Sequence, residues 1–302
     1  MVSVSPPGSD SSNGKQVNGM KQEAVLDYFI LNRQLRSTQD MSIFDRITLQ
    51  SVYEVAKIVA GVPLFFEEHM QRMRQSAELL GASIPKSDDE VLEEIRVLLE
   101  KNRCENINVK LVQTWIGGED FFLTYFIEPE SLTQQEHNRG IHTILFQGER
   151  TKPHLKTVGS SFRDRVAAVR AQTGAYEALL VDDQGNITEG SRSNIFFLKK
   201  GLLLTPPAKT VLLGVTRKHV MNLCRSMQLQ VQEKLLHRGE ISAISGAFIT
   251  GTTVDIAPIR SIDDYTISSM ENSQIQTIMQ LYSDEVKTYI EEHTPHTRSE
   301  KI

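Results

Sequence analysis

The chain has 302 residues, 39% of them hydrophobic and 24% charged, with a net charge of −5, which is enough to bury one large core or two medium ones and slightly favours two domains. So weak a charge excludes a strong field for holding nucleic acid or an anionic membrane, and neither is an expected partner. Cys104 and Cys224 are the only cysteines, which excludes a disulfide framework and a cysteine metal cluster, and the absence of both a signal-peptide pattern and an apolar run of roughly 18 residues makes the cytoplasm the expected location.

Residues 1–24 are rich in Ser, Gly, Asn and Pro, so a tail is expected there, with ordered structure beginning near Asp27. Strands are expected over 27–31 and 51–59, with a turn at Gly61. Met70, Met73, Ala77 and Leu80 recur at helical spacing up to Gly81, a good terminator. Ser87 and Glu90 form a capping-box pattern that opens a second helix with Val91, Ile95, Leu98 and Leu99 on one face. Residues 107–111 alternate as a strand, and Gly117-Gly118 turns the chain into a partner at 122–126. A strand at 141–145 follows a polar stretch. Beyond the next polar segment come a helix near 160–173, strands at 178–181, 194–197 and 202–205, a helix from about Thr216, a strand at 247–250, and a last helix with Ile275, Met279, Tyr282, Val286 and Ile290 on one face.

This pattern predicts an α/β fold in two parts: a small α+β domain over 25–146 and a larger α/β domain over 154–292, joined by a link at 147–153. A C-terminal tail is expected over 293–302.

Five local features bear on chemistry. Glu189 stands in "ITEGSRSNIFF", a run of small turn residues before an apolar strand; a solvated turn is the plain alternative. Lys156 lies among small and apolar residues at a strand-to-helix junction, where desolvation lowers an ammonium pKa and favours a nucleophilic amine. Val215 and Thr216 open a helix whose free N–H groups suit an anion, although any capped helix offers the same. Thr252 and Thr253 add hydroxyls after a strand, and Arg72 near the start of the first long helix can grip a phosphate or simply face solvent. Together they supply what pyridoxal 5'-phosphate requires: an amine for its aldehyde, a carboxylate for its ring nitrogen and donors for its phosphate.

From about Tyr28 to Ser261 the chain resembles the class IV, fold type IV pyridoxal-phosphate enzymes, which include branched-chain aminotransferases, D-amino acid aminotransferases and 4-amino-4-deoxychorismate lyases. The resemblance rests on Glu189, Asn194-Ile195-Phe196, Thr205, Leu213-Gly214-Val215-Thr216-Arg217 and the spacing from Lys156 to Glu189. It implies that Lys156 is the Schiff-base lysine, that Glu189 pairs with the pyridine nitrogen, and that Arg72, Val215, Thr216 and Thr252 hold the phosphate. A small and a large domain with the cofactor between them, and a homodimer, are implied as well. The chain departs from the family at 47–51 before Tyr53, at 114–120, where an arginine-bearing loop is missing, at Arg192, and at Ser161.

The expected activity is amino transfer between an amino acid and a 2-oxoacid, with a pyruvate-releasing lyase as the rival and a non-catalytic metabolite binder as a rival of another class. Tyr53, Val55 and Lys57 alternate along one strand and share a face. The resemblance directs that face towards the substrate, which makes Tyr53 and Lys57, with Arg192 and Thr253, the expected grip on the substrate carboxylate.

Overall fold

A computed structural model describes residues 23–47, 51–129, 132–150, 154–157 and 161–294. The expected tails fall outside these residues apart from 23–24 and 293–294, as do residues 151–153 of the expected link over 147–153 and the departure at 48–50.

The first half builds a six-stranded sheet from β1 (Ala24–Leu31), β2 (Gln34–Ser37), β3 (Val52–Val59), β4 (Val62–Pro63), β5 (Ile107–Ile116) and β6 (Glu119–Ile127), in the order β2-β1-β6-β5-β3-β4. Every pairing is antiparallel. The β5–β6 hairpin turns at Gly117 and Gly118, with φ of 63° and 84°, a region that costs a glycine little. Helices α1 (Phe66–Glu78) and α2 (Asp88–Asn102) cover one face. Met70, Met73 and Ala77 of α1 and Val91, Ile95 and Leu98 of α2 are buried against Val52, Ala56 and Ile58 of β3. That burial explains the helical spacing read in both segments. α1 opens at Phe66, with Phe65 as its cap in the left-handed region, so Arg72 sits mid-helix and not near its start. The Ser87 box is formed: the Glu90 N–H donates to Ser87 Oγ at 3.2 Å and the Ser87 N–H to Glu90 Oε2 at 2.9 Å.

The second half builds a ten-stranded sheet from β7 (Ile141–Gln147), β8 (Glu177–Val181), β9 (Asn186–Gly190), β10 (Asn194–Lys199), β11 (Leu202–Thr205), β12 (Val231–Glu233), β13 (Leu236–His237), β14 (Gly246–Gly251), β15 (Asp255–Ile262) and β16 (Tyr265–Thr266). Its order is β12-β11-β10-β14-β15-β7-β8-β9-β13, with β16 beside β15. The sheet is mixed: β7 runs parallel to both β8 and β15, whereas β14 runs antiparallel to both β10 and β15. Here the expected boundary needs correction. Residues 141–146, expected in the first unit, belong to this sheet, so the chain crosses between Ile127 and Ile141. The crossing carries a short helix, α3 (Gln134–Arg139), boxed by Thr133 and Glu136.

Three longer helices complete the second half: α4 (Ser161–Thr173), α5 (Val215–Ser226) and α6 (Ser273–His293). Val166 of α4 packs on Ala178 and Leu180. Val215 and Val220 of α5 and Ile275, Ile278 and Tyr282 of α6 form a core with Phe196 and Phe248, and Leu64 and Phe65 from the first half enter the same core. The start of α1 is thereby seated on α5 and α6.

Candidate active site

Glu189 is the penultimate residue of β9, and Gly190 ends the strand and leads into the turn. A Cβ on Gly190 would lie 2.0 Å from Ser193 Oγ, so no side chain fits there. The turn is locked by a second carboxylate, Glu177, fully buried on β8. Its Oε1 accepts from Ser191 Oγ at 2.6 Å and the Ser191 N–H at 3.2 Å, while Oε2 accepts from Ser193 Oγ at 2.8 Å. The small hydroxyl residues are therefore ligands of Glu177, and the turn they make fixes Glu189. Glu189 itself is 3% exposed. The Leu212 N–H donates to its Oε2 at 3.3 Å, and Arg150 Nε lies 3.3 Å from its Oε1. Burial pushes its carboxyl up; Arg150 and the Leu212 N–H oppose this without cancelling it.

Lys156 is pinned to the start of β3: the Tyr53 N–H donates to the Lys156 carbonyl at 3.0 Å, and Thr157 bridges to Val52. The side chain is buried, and its Nζ donates to Glu54 Oε2 at 3.1 Å. Burial first, then the Arg72 charge, push the ammonium pKa down, with Glu54 acting against them. Arg72 grips Glu54 with two donors, Nε to Oε1 and Nη2 to Oε2, both at 2.6 Å, and sends Nη1 to the Leu213 carbonyl at 3.1 Å.

The start of α5 is the third component. Gly214 is its N-cap and no side chain caps it, which leaves the first backbone N–H groups open at Val215 and Thr216. A Cβ on Gly214 would lie 2.2 Å from Asn194 Oδ1, so the close approach requires glycine. Nearby, Thr250 Oγ1 is buried without a hydrogen-bond partner. An open helix start, an orphaned hydroxyl and a guanidinium together suit an anion such as a phosphate.

A cavity of about 360 Å³ brings these groups together. Its lining includes Tyr53, Arg72, Lys156, Glu189, Arg192, Val215, Thr216, Thr252 and Thr253, nine of the ten residues singled out in the sequence. The tenth, Lys57, is elsewhere. It shares a face with Tyr53 and Val55 as expected, but it pairs with Asp255 and lines a neighbouring cavity of about 520 Å³. The cations that do line the first cavity include Lys110, Arg150 and Arg192.

Tyr53 is surrounded by charge. Arg163 Nη2 donates to its Oη at 2.7 Å, and the Lys110 and Lys156 ammonium groups lie 4.9 and 5.3 Å from its ring centre. Burial alone would raise the phenol, but Arg163, Lys156, Lys110 and Arg150 outweigh it and bring the pKa to about 8. Sequence reasoning passed over Glu54, Glu177, Arg150 and Arg163. For Glu54 a signal existed: it occupies the helix-facing register of an alternating strand, where a charge demands partners. No group of three or more His, Cys, Asp or Glu suited to a metal exists among the described residues, and no helix among them is long and apolar enough to cross a membrane.

The family model described as amino-transferase class IV matches residues 51–262. A D-alanine aminotransferase from Bacillus licheniformis is 28% identical over 254 residues, covering 78% of this chain and 89% of that protein. A probable branched-chain-amino-acid aminotransferase from Rickettsia typhi is 29% identical over 226 residues, covering 70% and 78%. Among solved structures, the branched-chain amino acid aminotransferase of Escherichia coli superposes with a TM-score of 0.75 at 22% identity, covering 87% of this chain and 95% of that one. That of Thermoproteus uzoniensis with norvaline gives 0.76 at 21%, covering 90% and 98%.

Proposed function

The chain belongs to the class IV aminotransferases, a pyridoxal-phosphate-dependent family, and from that premise we propose that the cavity at Lys156 is where the cofactor is held and the amino group is transferred. The observation that carries the reading is the convergence of Lys156, Glu189, Arg72 and the open start of α5 on one cavity. When bound, the cofactor supplies an aldehyde carbon and an electron-withdrawing ring.

This chain's residues do the rest. Arg72, the Val215 and Thr216 N–H groups and the hydroxyls of Thr216 and Thr252 hold the phosphate, with Thr250 Oγ1 as a further donor. Glu189, fixed by Glu177 through the turn, accepts a proton-bearing ring nitrogen; a cation there favours its ionised form, offsetting the burial that pushes the carboxyl up. Lys156 Nζ would be the amine that holds the cofactor's aldehyde carbon, and the same nitrogen would carry a proton to and from the substrate α-carbon. Its burial serves both roles, since only the free amine is nucleophilic. Tyr53 and Arg192, with Thr253, orient the substrate carboxylate, and Lys57 has no part in this because Asp255 holds it.

D-alanine and branched-chain L-amino acids are the donors to test first, each with a 2-oxoacid acceptor. New amino acid formed from either set, and lost in Lys156→Ala, supports the reading. Transfer that survives Lys156→Ala would place the reaction elsewhere.

A further inference from the structure

Glu54 lies on the helix-facing side of β3 and is fully buried. Its two oxygens accept from four donor atoms: Arg72 Nε at 2.6 Å on Oε1, and Arg72 Nη2 at 2.6 Å, His69 Nδ1 at 3.0 Å and Lys156 Nζ at 3.1 Å on Oε2. Two of those donors belong to opposite ends of the site described above, one for the phosphate and one for the aldehyde.

We propose that Glu54 is a positioning residue that holds Lys156 and Arg72 in register before the cofactor arrives and governs how readily the Lys156 ammonium releases its proton. The proposal rests on the reading of Lys156 as the linking amine. One carboxylate faces two cations here, so the cluster carries net positive charge whenever Lys156 is protonated. His69 does not change that sum: burial pushes its pKa down, so the neutral ring donates a hydrogen bond and no charge. A guanidinium cannot lose its proton under these conditions, so of the two cations only Lys156 can give one up; the Tyr53 phenol beside it, brought to about 8, acts with Glu54 to hold that proton once it ionises. Glu54, held well below the usual carboxylate range by Arg72 and Lys156 against its own burial, sets how far that release proceeds. A neutral amide at the same position leaves two buried cations facing each other and drives Lys156 towards the free base.

The test is the titration of Lys156 in full-length protein freed of cofactor, followed by trace acetylation across pH. Mass spectrometry of the Lys156 peptide reads the rate, with the exposed Lys101 as internal reference. Glu54→Gln should lower the Lys156 midpoint by at least about one unit, equivalent to roughly tenfold more free amine at a given pH below it. Glu54→Asp, which keeps the charge, should stay nearer the native midpoint than Glu54→Gln. Removing the opposing cation in Arg72→Met should raise the midpoint, and the double substitution should return it towards native. A merely structural role would not move the midpoint in opposite directions for the two changes. An unchanged or raised midpoint in folded Glu54→Gln overturns the proposal; if that variant does not fold, an unchanged or lowered midpoint in Arg72→Met does so. Whether Lys156 carries the cofactor is asked separately by reductive linkage of the loaded protein, so that reading can fail while the titration result stands.

Discussion

At the scale of single residues, candidates for the site were legible wherever a side chain's neighbours in sequence set it apart. Lys156, Glu189 and the start of α5 each carry a local signal, and all line the same cavity. Lys57 misled because alternation fixes which face of a strand a side chain takes but not which partner waits there. The partner is Asp255, from the other sheet. Glu54 and Glu177 were missed because their ligands come from sequence-distant positions, Lys156 and Ser191 among them. Two substitutions test the residue assignments. Glu189→Gln keeps the size but removes the charge proposed to face the ring nitrogen, so kcat should fall about 10²-fold or more, while cofactor affinity, followed by spectroscopic titration, changes far less. Equal turnover would reduce Glu189 to a packing role. Arg72→Met leaves Glu54 with only His69 and Lys156, and the loss of a buried charge partner should destabilise the cofactor-free protein by about 3 kcal/mol in denaturant unfolding. The same variant should weaken pyridoxal phosphate much more than pyridoxal, which has no phosphate to lose.

At the scale of elements, the helices and hairpins were the readable part. The periodic apolar face of α2 is buried as its spacing demands, and its capping box forms. Ser87→Ala should therefore cost about 1 kcal/mol, measured as a shift in unfolding midpoint with unchanged slope. No change at all would mean that the cap contributes nothing beyond what solvent supplies. The membership of β7 was not readable. Its apolar alternation marks a strand, but a strand's neighbours are set by packing, and β7 pairs in parallel with β8 and β15, the latter more than a hundred residues later in sequence. The six-residue α3 was invisible for a different reason: none of its residues is buried, so it has no apolar stripe to betray it.

At the scale of the whole molecule, the two sheets are fastened by a charged clasp beside the shared apolar core. His219 of α5 stands between Glu68 of α1 and Glu285 of α6, with Nε2 at 3.0 Å from Glu68 Oε2 and Nδ1 at 2.8 Å from Glu285 Oε1. The Phe65 ring lies 3.8 Å from the imidazole, centre to centre. Burial alone would raise the Glu68 carboxyl, but hydrogen bonds from His219 and Lys218 outweigh it and hold the pKa at about 2 against an ordinary 4.5. Burial would lower His219, yet its two carboxylate partners raise it above the ordinary 6.5. The signs then follow from linkage. The Glu68 contribution is complete above pH 4.5 and is lost as pH falls towards 2. The His219 contribution is complete below pH 6.5 and is lost as pH rises through its elevated value. The clasp is thus strongest between these limits. Tm measured against pH should show Glu68→Gln losing part of the acid limb and His219→Gln part of the alkaline limb, each relative to the native protein. Parallel curves for native protein and His219→Gln would show that the clasp carries no net charge coupling.

The assignment of the reaction to the cavity between the two sheets depends most directly on Lys156, and one measurement addresses it. The native protein loaded with pyridoxal phosphate is reduced with borohydride, digested and mapped by mass spectrometry. The cofactor's mass should appear on the peptide containing Lys156 and be absent from Lys156→Ala. Its appearance on another lysine, or its persistence in the Lys156→Ala protein, would contradict the assignment.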